Sequence, residues 1–253
     1  MPPYDFRTPR LFVDAPLAPS AEVVLDRNQT NYLLNVLRTR KGDPVLLFNG
    51  RDGEWQACLA GIVKRGASLA VGSRQREQPS AGNLNFLFAP LKHARLDYMV
   101  QKAVEMGASL LQPVITQHTQ VARINLDRMR SNVVEAAQQC GVLNLPRVAD
   151  AIAIDRVGLD SDRLLIFCDE SAEVADPIVA LQSVHRARGE PLAVLIGPEG
   201  GFSEKERAAL LKLPKVVRIA LGPRILRADT AAVAALALVQ AVLGDWHHPP
   251  AKL

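Results

Sequence analysis

The rhythm of hydrophobic and polar positions changes near residue 83. Before that point, apolar residues come in short runs, Val23–Leu25, Pro44–Phe48, Trp55–Ile62 and Ser68–Val71. Runs this short, punctuated by Asn49-Gly50 and Asp52-Gly53, predict strands joined by tight connections. One segment, Gln29–Leu37, sets Tyr32, Leu33, Val36 and Leu37 at helical spacing and predicts a helix. The pattern is that of a small, mostly β barrel or sandwich with one helix. Arg74–Gly82, RQREQPSAG, is polar, contains Pro79, Ser80 and Gly82, and reads as a linker.

From Asn83 onward strands and helices alternate. Leu84–Ala89, Leu110–Ile115, Leu164–Cys168, Ala193–Ile196 and Val216–Ala220 are compact apolar runs of the kind buried parallel strands show. Ala94–Met106 carries one apolar face of Leu96, Met99, Val100 and Ala103; Leu126–Cys140, Ser203–Leu211 and Asp229–Leu243 are further helices. This order predicts an α/β domain with a largely parallel sheet. Ligands of such sheets sit outside the carboxyl ends of the strands. Two glycine-bearing turns fall there, in Leu195–Glu206 (LIGPEGGFSEKE) and Leu221–Thr230 (LGPRILRADT). Ser203 with Glu206 forms a capping box, so a helix starts just after the first turn.

Neither turn is a phosphate cradle of the usual kind: GPEGG is not GxGxxG, and no Lys-Ser/Thr follows it. Glu199 inside the turn would repel a phosphate, which favours a neutral or cationic ligand. Apolar residues make up 48% of the 253 positions and charged residues 22%, as in ordinary globular proteins. Cys58, Cys140 and Cys168 are far apart and form no CxxC, so neither a disulfide framework nor a metal site is expected. The N-terminal stretch has no apolar core before a small-residue cleavage site, and the apolar run Ala231–Leu243 is too short for a membrane span. A cytoplasmic protein is expected. The net charge is +4, of which the first 82 residues supply +3 (11 Lys/Arg, 8 Asp/Glu), a balance that permits a nucleic-acid partner without requiring one.

Together with NVLRTRKGDPVLLFNG (Asn35–Gly50), LDYMVQKAVEMGASLLQPV (Leu96–Val114) and EAAQQCG (Glu135–Gly141), the two turns carry a resemblance over nearly the full length. The chain resembles the SPOUT class of methyltransferases and, more narrowly, the bacterial 16S ribosomal RNA (uracil-N3) methyltransferases of the RsmE type. The resemblance implies a PUA-like RNA-binding barrel (1–74), a linker (75–82) and a trefoil-knotted SPOUT domain (83–253). It also implies S-adenosyl-L-methionine as cofactor, a homodimer, and small-subunit ribosomal RNA or the assembled subunit as partner, with no metal and no membrane.

Carried onto this sequence, the resemblance places the cofactor at Gly197, Pro198, Glu199, Gly200 and Gly201, and at Leu221, Gly222, Ile225, Leu226 and Arg227. Asp169 and Glu170 are candidates for a third wall. Methyl transfer to uracil N3 requires loss of a proton and a cation near O2 or O4. Arg227 is the candidate cation. Glu199 or Asp229 could accept the proton, and the residues do not choose between them. His93 and His185 read as loop residues, and His247 and His248 as a tail. The target base must be unpaired or flipped. RNA contacts are expected from Arg10, Arg38, Arg40 and Lys41, and from Lys92, Arg95 and Lys102. Gln117-His118 stands where an acidic–arginine pair is expected, Gln138 and Val142 where Glu and Arg are, and Asp229 where Glu is. Two other readings stay open at this point: a related enzyme modifying another RNA atom such as a ribose 2′-oxygen, and a non-catalytic ribosome-assembly factor.

Overall fold

The computed structural model describes residues 7–64, 66–121, 123–158, 162–173, 176–184 and 189–246. His185, His247 and His248 lie outside the described residues. The chain forms two compact units, one reaching Ser80 and including Ala137–Leu145, the other formed by Ala81–Ala136 and, among the described residues, the stretch from Pro146 to Trp246.

The first unit holds β1 (Arg10–Phe12), β2 (Glu22–Val24), α1 (Arg27–Asn31), β3 (Pro44–Phe48), β4 (Glu54–Val63) and β5 (Gly66–Arg76). Its sheet has the order β1-β3-β4-β5-β2, with β1 parallel to β3 and the other pairs antiparallel. Alternate residues are buried along the strands, Val45 and Leu47, then Trp55, Ala57 and Leu59, then Ala67, Leu69 and Val71. A period of two places these side chains on one face and builds the core from it.

The helix expected over Gln29–Leu37 is divided. Asp26 caps α1 through a capping box with Gln29, and Tyr32–Val36 then widens into a π-helical turn. Leu33 alone of the expected apolar face is buried, while Tyr32, Val36 and Leu37 are exposed. A five-residue hydrogen-bond spacing rotates each later side chain away from the α-helical stripe. Arg38 ends the turn at φ 56°, a conformation that a side chain with a Cβ rarely adopts.

The polar stretch Arg74–Gly82 begins inside strand β5 and leaves it after Arg76. Gln78 Nε2 donates to Asn144 Oδ1 at 2.6 Å. Arg10 requires a correction, since it is not available as a free RNA contact. Its Nε donates to Glu54 Oε1 at 2.5 Å, with the side chains only 6% and 4% exposed. Arg76 Nε donates to Glu54 Oε2 at 2.7 Å. The same two arginines hold the chain beyond them: Arg10 Nη1 reaches Gln138 O (3.3 Å) and Arg76 Nη2 reaches Gly141 O (3.0 Å). Gln138 Oε1 accepts from Phe12 N at 2.9 Å, a neutral bond at a position where an acid was expected.

The second unit contains β6 (Leu84–Phe88), α2 (His93–Glu105), β7 (Leu110–Ile115), most of α3 (Leu126–Cys140), β8 (Arg147–Val148) and β9 (Ile152–Ala153). It continues with β10 (Leu164–Cys168), α4 (Pro177–Gln182), β11 (Leu192–Ile196), α5 (Glu204–Leu210), β12 (Val216–Ile219) and α6 (Ala228–Val242). The sheet order is β12-β10-β11-β6-β7-β8, with β9 pairing further along β7, and every pairing is parallel. Strand β11 is buried at all five positions, as a central parallel strand must be. His93 opens α2 and does not lie in a loop. Among the described residues, no helix is long and apolar enough to cross a membrane.

Burial alone would raise the Glu54 pKa, but hydrogen bonds from Arg76 and Arg10 outweigh it and hold the carboxyl below its ordinary value. A lowered folded-state pKa contributes stability above the ordinary carboxylate pKa, and acid removes it. Glu54→Gln leaves two guanidinium groups without their anion and is expected to cost about 3–5 kcal/mol at neutral pH. Chemical denaturation at pH 7 and pH 4 checks this: the gap between wild type and variant narrows at the lower pH.

Candidate functional site

Three adjacent strands, β12, β10 and β11, end side by side, and the loops leaving their carboxyl ends enclose one cleft of about 510 Å³. Cys168–Glu170 form its floor, Ile196–Gly201 one wall, and Leu221–Ala228 with Ala231 the other. Its size falls within the range of small-molecule sites. All ten residues expected at a cofactor site line it: Gly197, Pro198, Glu199, Gly200, Gly201, Leu221, Gly222, Ile225, Leu226 and Arg227. Asp169 and Glu170 line it as well.

The first wall is fixed by the start of α5. Ser203 and Glu206 form the capping box that the sequence predicts. Glu206 Oε2 accepts from Ser203 N at 2.9 Å, and its Oε1 accepts from Gln117 N at 2.7 Å, which ties the loop after β7 to this helix. Gly201 adopts φ 66°, and a Cβ there would collide with Glu170 Oε1. The turn therefore favours glycine for its conformation, while Glu170, an exposed side chain, could move aside. His118, on the loop after β7, places Nδ1 at 2.9 Å from Gly200 O and 3.1 Å from Gly201 O.

The floor is held by a buried acid. The Asp169 side chain is fully buried and accepts from Arg207 Nε (2.8 Å), Arg218 Nε (2.8 Å) and Ser171 N (3.1 Å). Burial pushes its pKa up, and the bonds from Arg207, Ser171 and Arg218 push harder the other way, so it lies below the ordinary aspartate value. Cys168 is buried beside it. Desolvation, and then the Asp169 charge, raises the thiol pKa far above neutrality, so it is no nucleophile.

Glu199 is partly exposed and pairs with Arg95 Nη1 at 3.5 Å. Arg227 is exposed at the N-cap of α6, and among the described residues it forms no ion pair with Asp229, whose Oδ1 accepts from Thr230 N at 3.1 Å. Ile225 is 96% exposed, so it edges the mouth and does not form an interior wall. Of the expected RNA contacts, Arg38, Arg40 and Lys41 are exposed on the loop before β3, and Lys92 is exposed at the N-cap of α2. Lys102 Nζ is bonded to Glu105 at 2.7 Å.

Sequence reasoning missed Arg207, Arg218 and His118. The two arginines carry a faint signal, since an arginine inside a β-rich run and another on a capped helix call for a buried acid. His118 stood out only as part of a departure from an expected acidic–arginine pair, because its partners are main-chain oxygens 82 and 83 positions away.

Asp169→Asn removes the anion shared by two arginines and is expected to cost about 3–5 kcal/mol near neutral pH. Its lowered pKa gives stability that is present above about pH 4 and lost as pH falls further. Denaturation curves from pH 7 to pH 3 test this, the difference between wild type and variant shrinking in the acid range.

The RNA methyltransferase domain family matches residues 77–240, and the RNA methyltransferase PUA domain matches residues 25–71. Ribosomal RNA small subunit methyltransferase E of Rickettsia conorii is 28% identical over 91% of this chain and 94% of that protein. The protein of the same name from Synechocystis is 30% identical over 88% of this chain and 74% of that protein. A crystal structure of a ribosomal RNA small subunit methyltransferase E from Neisseria gonorrhoeae, bound to S-adenosyl methionine, superposes with a TM-score of 0.80. It is 28% identical, covering 95% of this chain and all of that one. With a cleft at the carboxyl edge of a parallel sheet and these matches along both of its parts, the chain belongs to the ribosomal RNA small subunit methyltransferase E family of RNA methyltransferases.

Proposed function

We propose that this protein methylates N3 of a specific uridine in 16S ribosomal RNA, with S-adenosyl-L-methionine as methyl donor. The observation that carries this reading is the convergence of both glycine turns on one cleft at the ends of β10, β11 and β12. The S-adenosyl methionine bound to the Neisseria relative supports the choice of donor, and the names of the relatives support the choice of RNA.

The residues present fit that cofactor. Main-chain groups of Gly197–Gly201 and Leu221–Leu226 can read an adenine edge, and Leu226 adds apolar contact. Glu170 and Glu199 offset cationic charge, while Arg227 is free to meet a carboxylate or a developing uracil oxyanion. When bound, S-adenosylmethionine supplies an electrophilic methyl group. The protein's own work is to exclude water, align the acceptor and remove the N3 proton.

The division into a PUA-like RNA-binding part (1–74), a connecting segment (75–82) and a knotted catalytic part (83–253) belongs to this reading. So do the homodimer, the cytoplasmic location, and the assembled subunit or its RNA as partner. Exposure of Ile225 beside the cleft supports a covering partner. Arg38, Arg40 and Lys41 remain the RNA-facing cations of the first unit, because their side chains are exposed, whereas Arg10 serves folding.

Titration calorimetry is expected to show binding of S-adenosylmethionine, and nucleoside mass mapping of ribosomal RNA from a deletion strain to show loss of one N3-methyluridine, restored by adding back the protein. Loss of another modification overturns the assignment of the target atom, and absence of cofactor binding defeats the enzyme. Substituting Arg38, Arg40 and Lys41 together with alanine is expected to lower the slope of log affinity against log salt by about 2–3. Arg10→Ala, by contrast, lowers the melting temperature.

A further inference from the structure

His118 is held by three independent contacts around one short loop. Gln117 N donates to Glu206 Oε1 at 2.7 Å on one side. On the other, Thr116 N donates to Thr119 Oγ1 at 2.9 Å, and Thr119 N donates to Thr116 O at 3.2 Å. The ring itself lies on Gly200, where a Cβ would stand 3.1 Å from His118 Cβ and 3.5 Å from Cγ. A side chain at position 200 would push the imidazole off the turn.

The ring contacts decide the tautomer. Nδ1 faces two carbonyl oxygens, Gly200 O and Gly201 O, and neither can donate. Nδ1 must therefore carry a hydrogen, and in the neutral ring Nε2 holds the lone pair. His118 also lines an open depression of about 480 Å³, together with Gln117, Thr119, Gln120 and Gly200. Gly200 also lines the cofactor cleft, so the two cavities adjoin. The charged groups packed around the loop are Glu206 beneath it, Glu170 against Gly201, and Glu199 with its partner Arg95.

We propose that this depression receives the target uracil and that His118 Nε2 accepts its N3 proton. The proposal rests on the function proposed above and supplies the acceptor that Glu199 and Asp229 left undecided. The N3–H bond breaks with its electron pair left on N3. The proton goes to Nε2, and the pair on N3 forms the new bond to the methyl carbon, whose bond to sulfur breaks with its pair left on sulfur. The imidazolium then returns its proton to water. Gln117 and Gln120 line the same space, and glutamine amides can donate to O2 and O4.

The test uses the full chain in two arms. Long-range proton–nitrogen NMR of protein labelled with 15N-histidine, at pH 8 and without cofactor, is expected to show His118 protonated at Nδ1 and not at Nε2. Added uridine 5′-monophosphate is expected to shift its Nε2 resonance. A proton on Nε2 overturns the proposal. The second arm is His118→Asn, in which the asparagine amide nitrogen replaces Nδ1 as donor to Gly200 O and Gly201 O but nothing replaces Nε2. With S-adenosylmethionine affinity and melting temperature unchanged, single-turnover methylation is expected to fall by about 10²–10⁴-fold and to lose its acid limb. The deficit is expected to shrink on RNA carrying 5-fluorouridine at the target, because its N3 proton is more acidic. Equal rates for the two proteins, or an equal deficit on both RNAs, overturn the proposal alone. Absence of N3-methyluridine with the wild-type protein overturns the function on which the proposal rests.

Discussion

The cleft depends on one buried carboxylate. Asp169 ends β10, its main-chain N–H donates to Ile219 O at the end of β12, and its side chain binds Arg207 of α5 and Arg218 of β12. Helix α5 is the element into which the first glycine turn leads. One side chain therefore ties the loop after β10 to β12 and to α5, the helix that follows the first glycine turn. Burying a charge this deeply is costly unless it is paired and fully hydrogen-bonded, as it is here. The pairing also takes the charge of Arg207 out of the site. Its remaining donors go to Glu204 (2.6 Å) and Glu170 (3.4 Å), so a cationic ligand meets no bare guanidinium on the floor.

The first unit uses the same device around Glu54. Two arginines from opposite ends of its sequence, Arg10 and Arg76, share this one acid and then reach the main chain at Gln138 and Gly141. Here a charged triad does structural work that a hydrophobic cluster could also have done. Its effect is to convert residues that look like surface charge into internal supports. The basic excess of the first 82 residues is accordingly smaller on the surface than in the sequence, and Arg38, Arg40 and Lys41 are among the cations that stay exposed.

Much of the fold was legible because it rests on local rules. Alternating burial along β3, β4 and β5, the apolar run of β11 and the capping box at Ser203 are short-range patterns, and each element lies within a few residues of its expected place. Elements too short to show a period, such as β1, β8 and β9, escaped notice. The π turn at Tyr32–Val36 was hidden because its apolar residues keep helical spacing in sequence while only Leu33 packs. At the site, the glycine turns were readable since backbone demands select glycine and proline directly. The partners of Asp169 and His118 were not, because a hydrogen bond across dozens of residues leaves no local pattern. For the same reason Arg10 looked like any other surface arginine.

The structure also changes why a phosphate ligand is disfavoured. Read alone, Glu199 in the first turn repels an anion. In the fold, Arg95 stands 3.5 Å from it with both side chains more than one-third exposed, so much of that repulsion is compensated and screened. Arg224 and Arg227 on the opposite wall would even attract an anion. Part of the main-chain donor set around the turn is also taken up within the protein. The start of the turn is occupied by Pro198, which has no N–H, and Gly201 N already donates to Pro198 O at 3.0 Å. The capping box takes the next donors, with Ser203 N on Glu206 Oε2. Amides spent within the protein cannot cradle a phosphate. The missing N–H of Pro198 and the engaged N–H groups of Gly201 and Ser203 thus add to the charge of Glu199 in disfavouring a phosphate.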